Sequence, residues 1–200
     1  MSQRRDILKY LGLGIVGAGI AITVRQKFQP AQSDAKILSP TSATPSKKLA
    51  IESSGKTLPE LQGISNWINS ESLTLASLRG DVVLLQFWTF ACSNCQATIP
   101  HLVGWHDKYA DKGLKIISVH TPEFAYEREL NNVKQAVKKR NIKYAVAVDN
   151  GFETWKAYNN EYWPHLFLAN RQGQIVYDHI GEGAYAETET KIRQLLGKKA

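Results

Sequence analysis

Sulfur is scarce in this chain: 200 residues hold two cysteines, Cys92 and Cys95. So small a number excludes a disulfide-stapled scaffold. Without a second cysteine pair a four-thiolate zinc set cannot be built, and with the five histidines scattered no metal site is read. Long apolar runs are also missing. The stretch Leu11–Val24 has fourteen residues, roughly 21 Å of helix against a hydrocarbon core of about 30 Å. Internal repeats and nucleic-acid-binding motifs are absent. The formal charge of +7 does not restore a nucleic-acid partner, because residues 1–60 hold nine basic and four acidic side chains while 61–200 hold 16 and 14. The folded part is nearly balanced, and no basic face remains to grip phosphates. What is there is ordinary globular composition, 43% hydrophobic and 22% charged, which excludes wholesale disorder.

The basic excess belongs to the N-terminus. Arg4, Arg5 and Lys9 precede the apolar stretch, the order of a targeting peptide. Gly12, Gly14, Gly17 and Gly19 keep that stretch mild, and Arg25 and Lys27 follow it. Residues 1–28 are read as a signal peptide or membrane anchor. The chain is then exported to a periplasm or equivalent lumen, either soluble or held to the membrane by residues 7–24. Arg4–Lys9 resembles a twin-arginine signal, with Ile7 where that pattern usually has Phe. No Ala-x-Ala follows, and Ser33-Asp34-Ala35 lies far downstream, so cleaved and uncleaved forms both stand. Residues 29–60 carry Pro30, Pro40, Pro45 and Pro59 among small and polar residues, and are read as a flexible linker. Residues 61–200 form one domain, long enough to bury about two-thirds of its unfolded surface.

Within that domain, 81–88 is a near-continuous apolar run after Arg79-Gly80, as a strand covered on both faces requires. Runs at 114–120 and 144–148 give two more strands, and 165–169 and 174–179 flank the turn residues 170–173 as a hairpin. Helical stretches fall at 93–111, 126–140, 151–159 and 186–196. This alternation predicts an α/β fold, a mixed sheet with helices on both faces.

The chemistry is concentrated in Cys92-Ser93-Asn94-Cys95, just after the first strand and at the start of a helix. A helix N-terminus presents unpaired N–H groups and partial positive charge, which stabilise a thiolate at Cys92. An unperturbed thiol is only about 3% thiolate at pH 7, whereas Cys-x-x-Cys thiols reach a pKa of about 3.5–7.5. Two intervening residues bring the second sulfur within reach, so Cys92 attacks and the more buried Cys95 resolves. A purely structural disulfide here would close a tiny loop and constrain little.

Residues 87–95, from Phe87-Trp88 to Cys95, resemble the active-site strand and turn of the thioredoxin-like superfamily. The likeness is to its TlpA-like and DipZ C-terminal-type thiol–disulfide oxidoreductases, and it covers about 61–198. It implies a thioredoxin-like fold with a strand–helix insertion between His120 and Asn150. Pro100 matches the proline inside the active-site helix, and Trp163-Pro164 matches the cis-proline facing the cysteines. The Gly181–Glu189 stretch is similar to the DipZ-type ending. Trp88, Trp163 and Pro164 are then the expected substrate-binding residues, with Ser93, Asn94 and Pro100 supporting. No cofactor is implied beyond a redox-active Cys92–Cys95 disulfide. Implied partners are protein thiols and disulfides, a CcdA/DsbD-like membrane electron carrier, and apocytochrome c as substrate. The pattern departs in three places. Ala91 stands where many thioredoxins have Trp, Gln86 where thioredoxin has a buried acid, and Thr98 where TlpA-type proteins carry Glu. The usual proton acceptors for Cys95 are therefore absent. Glu153 and Glu182 are the stand-ins considered, and His165 is the histidine expected near the thiols.

Two other readings stay open. Thr89-x-x-Cys92 matches part of a peroxiredoxin site, although Leu85 stands where that motif has Pro. A non-catalytic copper-chaperone module could use Cys92, Cys95 and a histidine.

Overall fold

The computed structural model describes residues 55–197. The targeting segment and residues 29–54 of the linker lie outside the described residues. Six strands form one mixed sheet in the order β1-β4-β3-β2-β5-β6. At its centre β2 (Val82–Trp88) is buried at all seven positions. It pairs in parallel with β3 (Leu114–His120) and antiparallel with β5 (His165–Ala169). Beyond β3 lies β4 (Ala145–Val148), also parallel, and β1 (Asn66–Ile68) closes that edge antiparallel to it. The hairpin partner β6 (Ile175–Ile180) forms the other edge. Its turn uses Gly173 at φ 73°, a conformation glycine adopts without steric cost.

Strand alternation sorts the apolar residues into two cores. Val82, Leu84 and Trp88 face one, with Ile116, Val146 and Leu168. That core is covered by α1 (Ser93–Tyr109), α2 (Leu130–Lys139) and α4 (Tyr185–Gly197), through Ile99, Leu102, Val133, Val137, Ile192 and Leu195. Val83, Leu85 and Phe87 face the other, covered by the short helix α3 (Glu153–Ala157) and by Leu58, Leu75 and Leu78.

Two expectations change here. Residues 55–60, assigned to the linker, pack on the domain: Ile175 N–H donates to the Lys56 carbonyl at 2.8 Å, Leu58 N–H to the Gly173 carbonyl at 3.0 Å, and Leu58 is buried. The same segment is held by Tyr158 Oη, which donates to the Pro59 carbonyl at 2.8 Å, and by Glu60, which accepts from the N–H groups of Leu75 and Ala76. The helix expected over 126–140 is split into a 3-10 turn, Ala125–Arg128, and α2. Among the described residues no helix is long and apolar enough to cross a membrane.

The parallel strands end in line. Trp88 pairs with His120 and His120 with Val148. Thr121 N–H donates to the Trp88 carbonyl at 3.0 Å, and Asp149 N–H to the His120 carbonyl at 2.9 Å. The three loops that follow therefore start side by side.

Candidate active site

The first of these loops carries the cysteines. Cys92, half-buried, is the N-cap of α1, and its sulfur accepts the Cys95 N–H at 3.2 Å. Both thiols are free. Ser93 and Asn94, exposed, fill the first turn, which holds no acidic side chain to oppose a thiolate. On its other side the Cys92 thiol faces the Trp163 carbonyl at 3.9 Å. The Trp163–Pro164 peptide bond is cis, and Pro164 is buried. Cys95 is fully buried. Burial pushes its thiol far up, the Cys92 sulfur and the Glu127 charge add to that, and the Thr89 backbone N–H opposes them.

Below the thiols, Gln86 Nε2 donates to Thr98 Oγ1 at 2.8 Å, and Thr98 Oγ1 donates to the Cys95 carbonyl at 2.8 Å. A neutral amide and a hydroxyl thus fill the space below Cys95. The acid comes from elsewhere. Glu127, fully buried, accepts from Thr89 Oγ1 and, at 2.9 Å, from Ala91 N–H with one oxygen. Its other oxygen accepts from Glu123 N–H at 2.8 Å and Phe124 N–H at 2.9 Å. Burial alone would raise this carboxyl, but the four donors outweigh it and hold the group below the usual carboxylate range. His120 is fully buried, stacked on Phe90 at 5.5 Å and edge-on to Trp88 at 5.4 Å. Neither ring nitrogen has a partner among the described residues, and burial pulls its pKa down to about 4 against the opposing pull of Glu127.

The third loop supports Trp163. Asp149 accepts from the N–H groups of Glu153, Thr154 and Trp155, and Trp155 packs on Trp163 with ring centroids 4.3 Å apart. The Trp163 indole N–H donates to the Thr121 carbonyl at 3.1 Å.

Several expected site residues sit elsewhere. Trp88, expected to bind substrate, is not at the surface: at 0% exposure it lies in the first core, where strand alternation puts it on the face of Val82 and Leu84. Apolar surface near the turn is instead offered by Phe90, Tyr126 and Phe124, successive rings 5.8 and 5.7 Å apart. His165 is not beside the thiols. Strand alternation puts it on the face of Phe167, with Nδ1 2.5 Å from Asn160 Oδ1 and Nε2 3.3 Å from Asp178 Oδ2. Glu182 is exposed and accepts from Tyr185 Oη at 2.8 Å, while Glu153, also exposed, lies against Gly63. Pro100 is inside α1 and exposed. His101 stacks on Tyr185, and His106 abuts Tyr144. No cluster of three metal-ligating side chains occurs among the described residues.

The sequence reading missed Glu127. Its signal is faint: one acid among Glu123, Arg128 and Glu129 in a segment with no periodic pattern.

Comparison with known proteins fits this geometry. The AhpC/TSA family matches residues 55–178. Protein DipZ of Mycobacterium tuberculosis is 46% identical over 149 residues, covering 73% of this chain and 21% of DipZ, so the chain spans about a fifth of that relative. The thiol-disulfide oxidoreductase YkuV of Bacillus subtilis is 27% identical over 142 residues, covering 70% of this chain and 95% of YkuV. Among solved structures, a thiol-disulfide isomerase from Corynebacterium glutamicum superposes with a TM-score of 0.63 at 25% identity, covering 71% of this chain and 98% of the other.

Proposed function

Since the chain belongs to the AhpC/TSA family with a thioredoxin-like fold, we propose that it is a thiol–disulfide oxidoreductase acting on protein cysteines through Cys92 and Cys95. The observation that carries this reading is the half-buried Cys92 sulfur at the α1 N-terminus, with the Cys95 amide 3.2 Å from it. Backbone N–H groups of that turn stabilise negative charge on sulfur.

The reaction runs in two exchanges. The Cys92 thiolate attacks one sulfur of a substrate disulfide, forming a mixed disulfide and releasing a substrate thiolate, which takes up a proton. Cys95 then loses its proton and attacks Cys92 Sγ, forming the Cys92–Cys95 bond and releasing the second substrate thiol. Two electrons pass to the substrate, and the reverse sequence oxidises it. The Trp163 carbonyl, facing Cys92, is positioned to accept an N–H from an extended substrate chain. Phe90, Tyr126 and Phe124 supply apolar contact beside it.

Export and membrane tethering rest on residues 1–28, with 7–24 as the anchor. With that address, a CcdA/DsbD-like carrier supplies electrons and apocytochrome c is a substrate. A cell-fractionation comparison of the chain with an Arg4→Lys, Arg5→Lys double variant tests the address, and the double variant is expected to stay inside.

The activity is tested on the full chain by insulin-disulfide reduction, peroxide consumption and Cu(I) retention, in wild type and Cys92→Ser. Insulin reduction that Cys92→Ser abolishes supports the reading. Thiol exchange surviving in Cys92→Ser overturns it, peroxide consumption without exchange favours a peroxidase, and Cu(I) retention alone favours a metal carrier. The Thr89 hydroxyl, which a peroxidase would need at the cysteine, is turned to Glu127.

A further inference from the structure

Glu127 has no counter-charge. Among the described residues no lysine, arginine or histidine forms an ion pair with it, and its solvation comes from four donors of the chain itself. Those donors belong to two separate segments. Thr89 and Ala91 lie in the turn that delivers Cys92, whereas Glu123 and Phe124 open the segment inserted after β3. One carboxylate therefore joins the thiol-bearing turn to the insertion. Thr89 stands between acid and thiol: its hydroxyl donates to Glu127, and its backbone N–H eases charge onto the Cys95 sulfur.

We propose that Glu127 is a positioning residue for the thiol pair, clamping the 89–91 turn to the segment that follows β3 and keeping a fixed negative charge at that turn. Gln86, on β2 beneath the pair, is neutral. The charge lies instead at Thr89 and Ala91. A carboxylate with four donors stays ionised despite burial, and in a low-dielectric interior its field is weakly screened.

The other titratable and charged groups around that turn are Cys92, His120, Arg140, Arg128 and Glu123. Cys92 and Glu127 act on Cys95 in the same direction. His120 is neutral at pH 7. Arg140 spends one guanidinium N–H on the Phe90 carbonyl at 3.3 Å, and Arg128 donates to the Asn150 carbonyl at 2.7 Å. The Glu123 side chain is exposed.

The proposal rests on a redox-active pair, but its charge component can be read without turnover. In the full chain carrying Cys92→Ser, the rate at which iodoacetamide alkylates Cys95, which reads its thiolate fraction well below the point of half-ionisation, is followed against pH with Glu127 intact, Glu127→Gln and Glu127→Asp. Glu127→Gln is expected to increase the Cys95 ionisation constant about tenfold, the scale of one charge acting at short range. Glu127→Asp, which keeps the charge but withdraws it by one methylene, is expected to give a smaller increase. Identical profiles for folded Glu127→Gln and its parent overturn the charge component. If circular dichroism shows Glu127→Gln unfolded, Glu127→Asp decides in the same way. The clamp is tested with both cysteines present. Thr89→Val removes one donor and keeps the charge, and is expected to slow insulin reduction severalfold while leaving the Cys95 profile, read in the Cys92→Ser background, within twofold. An unchanged rate overturns the clamp. A wild-type chain that reduces no insulin disproves the oxidoreductase reading and the clamp, but leaves the ionisation result standing on its own.

Discussion

The Cys95 amide lies 3.2 Å from the Cys92 sulfur, so a thiol fills the place that a serine or aspartate usually takes at a helix start. The same atom is cap and nucleophile, and any step that uses the sulfur also changes the cap.

Cys92→Ser and Cys92→Ala separate those roles. Both are expected to reduce insulin no faster than the uncatalysed background. Serine retains a capping oxygen, so Cys92→Ser should stay close to wild type in denaturant midpoint. Cys92→Ala should lose about 1 kcal/mol. Equal stability of the two variants would show that the sulfur contributes nothing as a cap.

Cys95→Ser leaves the attacking thiol and removes the resolving one. Mixed disulfides between Cys92 and substrate proteins should accumulate to near stoichiometry, visible on non-reducing gels and absent in the double variant. A Cys95→Ser chain that turns over at the wild-type rate would mean that another thiol resolves the intermediate.

His120 makes stability fall in acid. Its folded pKa, about 4, lies below the ordinary value of 6.5. Stability from keeping the ring neutral is complete above pH 6.5 and is lost as pH falls through 4, when the unfolded chain takes up a proton that the native one does not. The loss over that window is about 3 kcal/mol. Urea unfolding of wild type and His120→Phe from pH 7 to 4 should show the variant losing that much less. Parallel curves would place the acid sensitivity elsewhere.

Asp149 caps α3 with three N–H bonds, and α3 carries Trp155 against Trp163. Asp149→Ala should cost about 2 kcal/mol and quench or shift the fluorescence of the stacked indoles. A loss of stability with unchanged fluorescence would mean that the cap does not hold that stack.

Much of this architecture is legible in the residues. Val82–Trp88 is apolar at six of seven positions, which only a strand buried on both sides tolerates, and Cys92 follows it at a helix start. The hairpin at 170–173 is written in Asn170 and Gly173. Other parts are not. Strand β1 has three residues and is defined only by its pairing with β4. Trp88 and Trp163 look alike in the chain, and a core position separates them from one another only after β2 is paired on both sides. Glu127 is silent in the sequence because three of its four partners are backbone amides, which every segment possesses, and because the four come from two loops joined only by the register of β2 with β3.

That register has a wider consequence. Strands β2, β3 and β4 stop at one level, at Trp88, His120 and Val148, and the loops beyond them supply the thiol, the acid and the support for Trp163. A designer who wished to retarget this molecule would leave the sheet and Glu127 alone and vary the exposed side chains of Phe124 and Tyr126, changing what the sulfur meets without loosening the clamp.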